Sequence, residues 1–257
     1  MRVGEHLETV VAGDSNQSQT RRVGGADRHA GRRRDGDDDR GAQAQRLLEH
    51  VYGHAAGQND HAALPVFADA PLDLIEQIVE AAGDFTANVL APLNGVGDKN
   101  GCKLADGAVT TPPGFKAAYD QLVEGGWPAL SVDPQWGGQG LPYVVNIAFM
   151  EMSSTANMAF SMYPGLTRGA AEAIQTGGSD EQKKIYLTNM MTGKWSGTMN
   201  LTEPQCGTDL GLIRTKAVPQ PDGSYKITGQ KIWISGGEQD LAPNIIQLVL
   251  ARIEGGP

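Results

Sequence analysis

The sequence predicts an α+β fold in which a helical part comes first and a part made of short strands follows. Three observations support this prediction. From Leu47 to Gly193, apolar residues recur at three- and four-residue steps between proline and glycine breaks, as amphipathic helices require. After Gly193, short runs rich in β-branched and aromatic residues are separated by turn residues. With 257 residues and 40% apolar content, the chain can also bury a full core.

Residues 1–45 have a composition unlike that of the rest of the chain. They contain eight arginines and eight acidic residues but no aromatic residue, isoleucine or lysine. Such a segment buries too little apolar surface to offset the entropy lost on ordering. We expect a disordered tail without a role, or one produced by a wrong start site or a frameshift upstream of Leu47. An arginine-rich arm for nucleic acid or membrane is the alternative, which the equal number of acids opposes.

The helical part is placed at residues 46–194. Proline suits the first turn of a helix, glycine follows helix ends, and a Ser-x-x-Gln capping box precedes the last predicted helix. The predicted helices are Pro71 to Pro92, Pro112 to Glu124 before Gly125-Gly126, Val144–Asn157, Leu166–Gln175 before Gly177-Gly178, and Ile185–Met191 after the Ser179/Gln182 box.

The strand part is placed at residues 195–257. Asp222-Gly223 is typical of a hairpin turn, because both residues tolerate the backbone conformations that a tight turn requires. The predicted strands are Trp195–Leu201, Ile213–Val218, Tyr225–Thr228, Lys231–Ser235 and Ile245–Ile253.

Two segments of the strand part carry the strongest functional signal. The first, Met199–Gly211 (MNLTEPQCGTDLG), passes from a strand into small, polar and turn-forming residues, which would leave N–H groups and hydroxyls pointing outward. The second, Lys231–Gly237 (KIWISGG), ends in a serine and two glycines and contains an indole. Hydroxyls and amides beside an indole suit a flat, electron-poor heterocycle that requires hydrogen bonds at its edge. An isoalloxazine ring has these properties.

These two segments resemble the two flavin-contacting motifs of the acyl-CoA dehydrogenases. The first family motif is Leu/Val-Thr-Glu-Pro-x-x-Gly-Ser/Thr-Asp and the second is Lys-x-Trp-Ile-Ser/Thr, and their order is the same here. Asn200 and Cys206 depart from the small residues that usually stand at those places. The resemblance also covers the stretches at 124–128, 136–140 and 179–183, and residues 157–165 look closest to the branch that includes 3-methylmercaptopropionyl-CoA dehydrogenases.

The resemblance implies an FAD-dependent enzyme of fatty acid metabolism that removes a proton from Cα and a hydride from Cβ of an acyl-CoA thioester. It implies that electron-transfer flavoprotein accepts the electrons and that the full-length protein is a homo-oligomer. Thr202 and the amides of Met199 to Leu201 would bind the pyrimidine edge of the flavin. Ser235 would hydrogen-bond flavin N5 and O4, and Trp233 would pack against the ring. Thr208 would approach the acyl-CoA substrate. The implied cofactor-binding set is Met199, Leu201, Thr202, Thr208, Trp233, Ile234 and Ser235.

The same resemblance makes the chain look incomplete. The family's small β-barrel continues with more strands and is followed by a C-terminal four-helix domain, whereas this sequence stops at Pro257. We therefore expect a truncated barrel, an absent four-helix domain, and a catalytic base that lies beyond Pro257. Glu203 is assigned a structural role, since a carboxylate before Pro204 fixes the turn. On this basis the chain alone is expected to be inactive.

Several classes of function are excluded by the sequence. The net charge of −9 argues against nucleic acid as a partner. No apolar run reaches the roughly 18–20 residues of a membrane span, so we expect a cytoplasmic protein. All five histidines precede residue 62, which excludes a serine-histidine site or a histidine-ligated metal site in the main body. Pro142 follows Gly137-Gly138-Gln139-Gly140 closely, which favours a loop over a phosphate cradle.

Four questions remain open at this point. The chain is either part of an FAD-dependent dehydrogenase or a non-catalytic remnant that binds at most FAD, acyl-CoA or a partner subunit. An oxidase that passes electrons to oxygen has the same motifs. Trp233 is a flavin wall or an ordinary core indole. Met150, Met152, Met158 and Met162 are assigned to core filling, with the lining of an acyl channel as the alternative.

Overall fold

The computed structural model describes residues 7–12 and 70–255 of the chain. Residues 7–12 form a strand, β1 (Leu7–Ala12), inside the segment for which we expected no structure. The sequence Thr-Val-Val within β1 has high strand propensity, and pairing with a second strand satisfies its backbone groups. The rest of the predicted tail, and the predicted start of the helical part near Leu47, lie outside the described residues.

Apart from β1 and one hairpin, the described residues follow the predicted order, with helices before strands. The α-helices are α1 (Leu72–Phe85), α2 (Ala91–Asn100), α3 (Phe115–Glu124), α4 (Tyr143–Ala156), α5 (Met158–Gly177) and α6 (Asp180–Met191). A π-helical turn, Thr86–Leu90, joins α1 to α2, and short 3₁₀ turns occupy Trp127–Ala129, Pro134–Trp136 and Leu210–Leu212. The strands are β2 (Lys103–Ala105), β3 (Ala108–Thr110), β4 (Ser196–Asn200), β5 (Lys216–Pro219), β6 (Tyr225–Thr228), β7 (Ile245–Leu250) and β8 (Arg252–Ile253).

Pro92 does not end the first helix, contrary to the prediction. It occupies the first turn of α2, where a missing N–H costs little, and the helical path continues to Asn100. The π-helical turn immediately before α2 absorbs the change in hydrogen bonding. Proline therefore marks a change of helix type here instead of a helix end.

The helix predicted at Leu166–Gln175 is also longer than expected, because α5 begins at Met158. Asn157 is buried and caps this start: its Oδ1 accepts a hydrogen bond from Phe160 N–H at 3.0 Å. Its Nδ2 donates to the Leu90 carbonyl at 3.2 Å, which ties the cap to the π-helical turn. Pro164 lies inside the helix without ending it.

Two local predictions are confirmed in detail. Both bonds of the capping box that begins α6 are present, from Ser179 N–H to Gln182 Oε1 at 2.8 Å and from Gln182 N–H to Ser179 Oγ at 3.2 Å. Asp222-Gly223 forms the turn between β5 and β6, with Gly223 at φ 84° and Ser224 N–H donating to Asp222 Oδ1 at 2.9 Å.

The part predicted as all-helical contains one β-hairpin. Strands β2 and β3 pair antiparallel, with Leu104 opposite Val109. Gly107 has φ 82° in the connecting turn, a conformation that favours glycine. Residues 103 to 110 lack the apolar three- and four-residue spacing of a helix, so short-range turn chemistry decides their structure.

The strands form two separate three-stranded sheets in the described residues, and the expected partial barrel is not closed. One sheet is parallel, with the order β1-β7-β4 and Ile245 opposite both Leu7 and Ser196. In the other, β5 lies between β6, to which it is antiparallel, and β8, to which it is parallel. The predicted strand Ile245–Ile253 is interrupted at Ala251, so that its two halves serve different sheets.

Two hydrophobic clusters hold these elements together. The first lies mostly in the helical part, is joined by Leu241 from the strand part, and includes the buried side chains of Leu90, Phe115 and Phe160. The second packs α5 and α6 against the parallel sheet and includes Ile174, Leu187 and Ile246. The second cluster fixes β4 on the helices, and β4 leads directly into the first motif segment.

Candidate functional site

The two motif segments, Met199–Gly211 and Lys231–Gly237, lie side by side. Ile232 N–H donates to the Thr202 carbonyl at 3.0 Å, and Lys231 Nζ donates to the Leu201 carbonyl at 2.9 Å. Further along, the buried Thr198 hydroxyl donates to the Ser235 carbonyl at 2.8 Å. The structure thus brings together the segments that the sequence predicts to form one site.

The second segment is not a strand, although Lys231–Ser235 was predicted as one. Residues 231 to 234 have no regular secondary structure, and a turn begins at Ser235. Trp233 has φ 58°, in the left-handed region that a bulky residue rarely adopts, and this break prevents continuous pairing. The apolar alternation of the sequence does not reveal such a conformation.

The Trp233 indole is 86% exposed, which rules out the alternative that it is a core residue. An aromatic side chain of this size usually buries most of its surface. Left-handed backbone at a residue other than glycine costs roughly 1–3 kcal/mol and tends to occur at functional sites. Both observations indicate a group held outward for a binding partner.

Glu203 lies at the centre of the first segment and is 3% exposed. Its carboxylate accepts hydrogen bonds from Lys231 Nζ at 2.9 Å, Gln205 Nε2 at 2.6 Å, Arg214 N–H at 2.7 Å and Thr215 N–H at 3.0 Å. This carboxylate therefore connects the first motif to the second motif and to the start of β5. The structure confirms that Glu203 has a structural role.

The charge on Glu203 is stabilised by these bonds. Burial alone raises the pKa of the carboxyl group, but the hydrogen bonds from Thr215, Lys231 and Arg214 outweigh it and hold the pKa far below its ordinary value. A carboxylate with a strongly lowered pKa is a weak proton acceptor. Glu203 is therefore unsuited to be a general base.

The turn after Glu203 presents the middle of the first motif to solvent. Glu203 and Cys206 exchange two backbone hydrogen bonds, of 2.8 and 3.1 Å, which close the turn. A Cβ atom on Gly207 would lie 3.4 Å from Thr202 Cγ2, so Gly207 packs on Thr202. Thr208, the next residue, is exposed, and Asp209 caps the following 3₁₀ turn through a 3.0 Å bond to Gly211 N–H.

The remaining predicted site residues divide into exposed and packed groups. Ser235 is exposed, whereas Leu201, Thr202 and Ile234 are half-buried. The Met199 side chain packs in the second hydrophobic cluster, and a Cβ atom on Gly169 of α5 would lie 3.2 Å from Met199 Cε. Met199 is half-buried, and its side chain is mostly engaged in this packing.

Helix α5 supports both segments from behind. Gly197 N–H, in β4, donates to the Thr167 hydroxyl at 3.0 Å. A Cβ atom on Gly236 would lie 3.4 Å from Tyr163 Cδ1, so the glycine turn of the second segment rests on that ring. The site is consequently anchored to the helical part as well as to the sheets.

The contacts of two residues at this site were not predicted from the sequence. Lys231 was predicted as the first residue of a strand and of the second motif and was given no role, yet it contacts the first segment twice. The available signal was the opposite charge of the two motifs, with Glu203 and Asp209 in the first and Lys231 in the second. Asn200 was noted only as a departure: its Nδ2 donates to Gln247 Oε1 at 2.8 Å, and its buried Oδ1 accepts no hydrogen bond within the part of the chain that the structure describes.

The glycine cluster at residues 137–140 is a structural loop, as predicted. The N–H groups of residues 137 to 141 all donate to carbonyls between residues 129 and 134, which leaves none of these five to bind a phosphate. A Cβ atom on Gly138 would lie 1.8 Å from the Val132 carbonyl oxygen, so close packing demands glycine there.

A cavity of about 70 Å³ lies within the helical part, between α3, α4, α5 and α6. Phe149 and Met150 line it, and Trp127 stacks on Phe149 with ring centroids 4.9 Å apart. The prediction that the methionines fill the core is confirmed for Met152, which is buried. It is wrong for Met150, Met158 and Met162, which are between 38% and 59% exposed. Of these, Met150 lines the cavity.

Residues 7–12 and 70–255 contain no group of three or more histidine, cysteine, aspartate or glutamate side chains arranged to hold a metal ion. No helix among them combines the length and the apolar character required to cross a membrane.

Residues 74–194 match the model of the acyl-CoA dehydrogenase N-terminal domain. The chain is 48% identical over 195 residues to 3-methylmercaptopropionyl-CoA dehydrogenase of Ruegeria pomeroyi, covering 76% of this chain and 33% of that protein. It is 40% identical over 185 residues to a butyryl-CoA dehydrogenase of Syntrophomonas wolfei, covering 70% of this chain and 30% of that protein. A solved acyl-CoA dehydrogenase of Bacillus anthracis, in complex with FAD, superposes with a TM-score of 0.58 at 25% identity, covering 73% of this chain and 30% of that one.

The chain spans only about a third of the length of the curated relatives that it matches. The matched region of the family model ends at residue 194, one residue before the predicted start of the strand part.

Proposed function

We propose that this chain, which belongs to the acyl-CoA dehydrogenase family, provides part of the flavin site of an enzyme for FAD-dependent α,β-dehydrogenation of acyl-CoA thioesters. The observation that carries the proposal is the pairing of the two motif segments beside an exposed Trp233. The family relationship and the similarity to an FAD complex support the same conclusion.

The residues present fit an isoalloxazine ring. The indole of Trp233 offers a flat apolar surface, and Ser235 in the same segment and Thr208 in the first segment offer exposed hydroxyls. The carbonyls of Leu201 and Thr202 are engaged by Lys231 and Ile232, so contacts to the ring edge would come from N–H groups and from the Thr202 hydroxyl. The buried Asn200 Oδ1 at the end of β4 accepts no hydrogen bond from residues 7–12 or 70–255, so it is available to a donor on a ligand.

The roles of the site residues follow from their positions. Bound FAD would supply the hydride acceptor for the reaction. Trp233 would restrict the ring from one side, Ser235 and Thr202 would hold its polar edge, and Met199, Leu201 and Ile234 would contribute backbone contacts. Thr208, exposed at the tip of the first segment, would contact the acyl-CoA.

A general base for the Cα proton is assigned outside this chain. Glu203 is the carboxylate between the two segments, and its ion pair with Lys231 keeps it ionised and engaged. We therefore place the base in the remainder of a full-length enzyme. Electron-transfer flavoprotein is the electron acceptor that we propose for such an enzyme, and a homo-oligomer is its proposed assembly.

The similarity to 3-methylmercaptopropionyl-CoA and butyryl-CoA dehydrogenases supports a short acyl chain as the substrate class. Both relatives are named for thioesters with few carbon atoms in the acyl group. The structure leaves the exposed methionines of α4 and α5 available to contact such a chain.

The proposed flavin contact is tested by titrating the purified chain into FAD and following flavin fluorescence. Trp233→Ala should weaken binding by roughly five- to tenfold, since an aromatic stacking contact contributes about 1 kcal/mol beyond area burial. Tyr225→Ala is the matched control, because Tyr225 is a partly exposed aromatic residue on β6, outside both segments.

Equal affinity of the Trp233→Ala variant and the unsubstituted chain would contradict the assignment of Trp233. If the unsubstituted chain bound neither FAD nor acyl-CoA, the flavin proposal would be wrong for this chain, and the non-catalytic alternative would be the better description.

A further inference from the structure

Lys231 connects the two motif segments at two points. Its ammonium group donates to the Leu201 carbonyl and to Glu203 Oε1, both at 2.9 Å. The lysine side chain is 9% exposed and the glutamate side chain 2% exposed, so this is a buried ion pair. Residues 203 and 231 are 28 positions apart, and the contact therefore joins segments that no local structure holds together.

Burying two opposite charges is expensive in desolvation free energy, and apolar residues of similar volume often stabilise a fold equally well. What an ion pair adds is a defined position of the two charged groups relative to each other. The carboxylate is fixed by Gln205 and by the N–H groups of Arg214 and Thr215, so it presents one defined position to the ammonium group. A lysine whose ammonium group is held there has less freedom in where its backbone can lie.

The backbone of Lys231 lies two residues before Trp233. The φ of Trp233 is 58°, an unfavourable conformation for a bulky residue that its surroundings must hold in place. Ile232 N–H is bonded to the Thr202 carbonyl on the near side, and the Ser235 carbonyl is bonded to the Thr198 hydroxyl on the far side. An unfavourable backbone conformation persists only where its surroundings determine it from both sides. Lys231 supplies the charged anchor on the near side.

We infer that Lys231 and Glu203 are positioning residues for the proposed flavin site, which hold the two motif segments in register and keep the Trp233 indole directed outward. This inference rests on the proposed function for its ligand, FAD, but its geometric content concerns the chain alone. The pair acts through Trp233 and the segment backbones and does not itself contact the ring.

The test uses Lys231→Met, which keeps the side-chain length and removes the charge, with Lys226→Met as the control. Lys226 is exposed on β6 and belongs to neither segment. Two quantities are measured on each variant: the Kd for FAD from flavin fluorescence, and amide hydrogen exchange at Ile232 and across residues 231–237.

Lys231→Met is expected to raise the Kd at least about tenfold and to speed exchange at Ile232 by a similar factor, because a loosened support displaces the contact groups. Lys226→Met should change neither quantity by more than about twofold. Lys231→Arg, which keeps the charge, should restore slow exchange at Ile232 at least in part.

Several outcomes separate this inference from the proposed function. If the unsubstituted chain binds FAD and Lys231→Met retains both its affinity and its slow exchange, the inference is overturned and the proposed function stands. If the unsubstituted chain does not bind FAD, the proposed function fails, and amide hydrogen exchange alone then tests the inference about Lys231 and Glu203. Faster exchange in Lys231→Met only would then support the coupling, and equal exchange in both methionine variants would overturn it. Should Lys231→Met not fold, by helical circular dichroism, the same comparison is made with Glu203→Gln.

Discussion

Single residues decide the chemistry that the site makes available. Trp233 is exposed and left-handed, whereas Glu203 is buried and ionised, although both stand in motif segments of similar polarity. The difference comes from their surroundings. Glu203 accepts four hydrogen bonds, while the Trp233 indole remains open to solvent on most of its surface.

Replacing Glu203 should change both the stability and its pH dependence. Glu203→Gln leaves the Lys231 ammonium buried without its counter-charge, so we expect a loss of about 3 kcal/mol in the free energy of unfolding at pH 7. Because the folded-state pKa of Glu203 is lowered, its contribution is complete above the ordinary carboxyl value of about 4.3. The contribution disappears as the pH falls below that value towards the folded-state pKa.

Urea unfolding between pH 7 and pH 3 measures this effect. The free energy of unfolding should fall more steeply with acid in the unsubstituted chain than in Glu203→Gln, so that the two curves converge at low pH. Parallel curves over the whole range would show that Glu203 does not contribute to the pH dependence. Glu238→Gln, at an exposed site, is the control and should leave the curve nearly unchanged.

At the scale of elements, glycine is required in the loop at residues 137–140 but is unfavourable in helix α2. Gly138 lies in a loop where a Cβ atom would come within 1.8 Å of the Val132 carbonyl oxygen. Gly95 lies in α2, and a Cβ atom there would meet nothing within 4 Å. The same substitution should therefore destabilise one element and stabilise the other.

Gly138→Ala should lower the free energy of unfolding by about 2–4 kcal/mol, since the backbone must shift to relieve the overlap. Gly95→Ala should raise it by about 0.5–1 kcal/mol, because alanine favours a helix interior. Urea denaturation of the two variants measures both values. Changes of the same sign would contradict the packing described for the loop.

Strand β7 is the central strand of its sheet only because β1 covers one of its edges. Five of its six side chains are buried, and an uncovered apolar edge strand invites pairing with other chains. Deleting residues 1–12 should therefore speed amide exchange across Ile245–Leu250 by about tenfold. Exchange in the β2–β3 hairpin should not change. Unaltered exchange in β7 would show that β1 does not protect this edge in solution.

At the scale of the whole molecule, the helical part and the sheets share the second hydrophobic cluster, and both support the proposed flavin site. The proposed reaction nevertheless requires a base that this chain does not place between the motif segments. General-base catalysis typically contributes about 10² to 10⁴ in rate. The chain alone should therefore still bind FAD but turn over substrate very slowly.

We predict that the 257-residue chain, supplied with FAD, does not reduce the flavin when butyryl-CoA or 3-methylmercaptopropionyl-CoA is added without oxygen. The measurement is the absorbance of oxidised flavin after mixing. Dithionite added afterwards is the control, since it should bleach the bound flavin. Rapid bleaching by either thioester would show that the chain holds a complete active site, and the assignment of the base to a region outside it would be wrong.

Features with a local cause are those that the sequence determined by itself. The α6 capping box, the Asp222-Gly223 turn and the glycine ends of α3 depend on residues within a few positions of each other, and they stand where they were predicted. The order of helices and sheets follows from the change of apolar period near Gly193. The motif residues were also identifiable, since each motif is a continuous run.

The tertiary structure alone decided features that depend on distant contacts. Pro92 lies within a continuing helical path because a π-helical turn and the Asn157 side chain support the joint. Lys231–Ser235 is not a strand because its hydrogen bonds go to the first motif and to β4. The Glu203–Lys231 pair and the outward indole arise only once these segments are side by side. Pattern and propensity describe neighbours along the chain, whereas these contacts join residues that folding brings together.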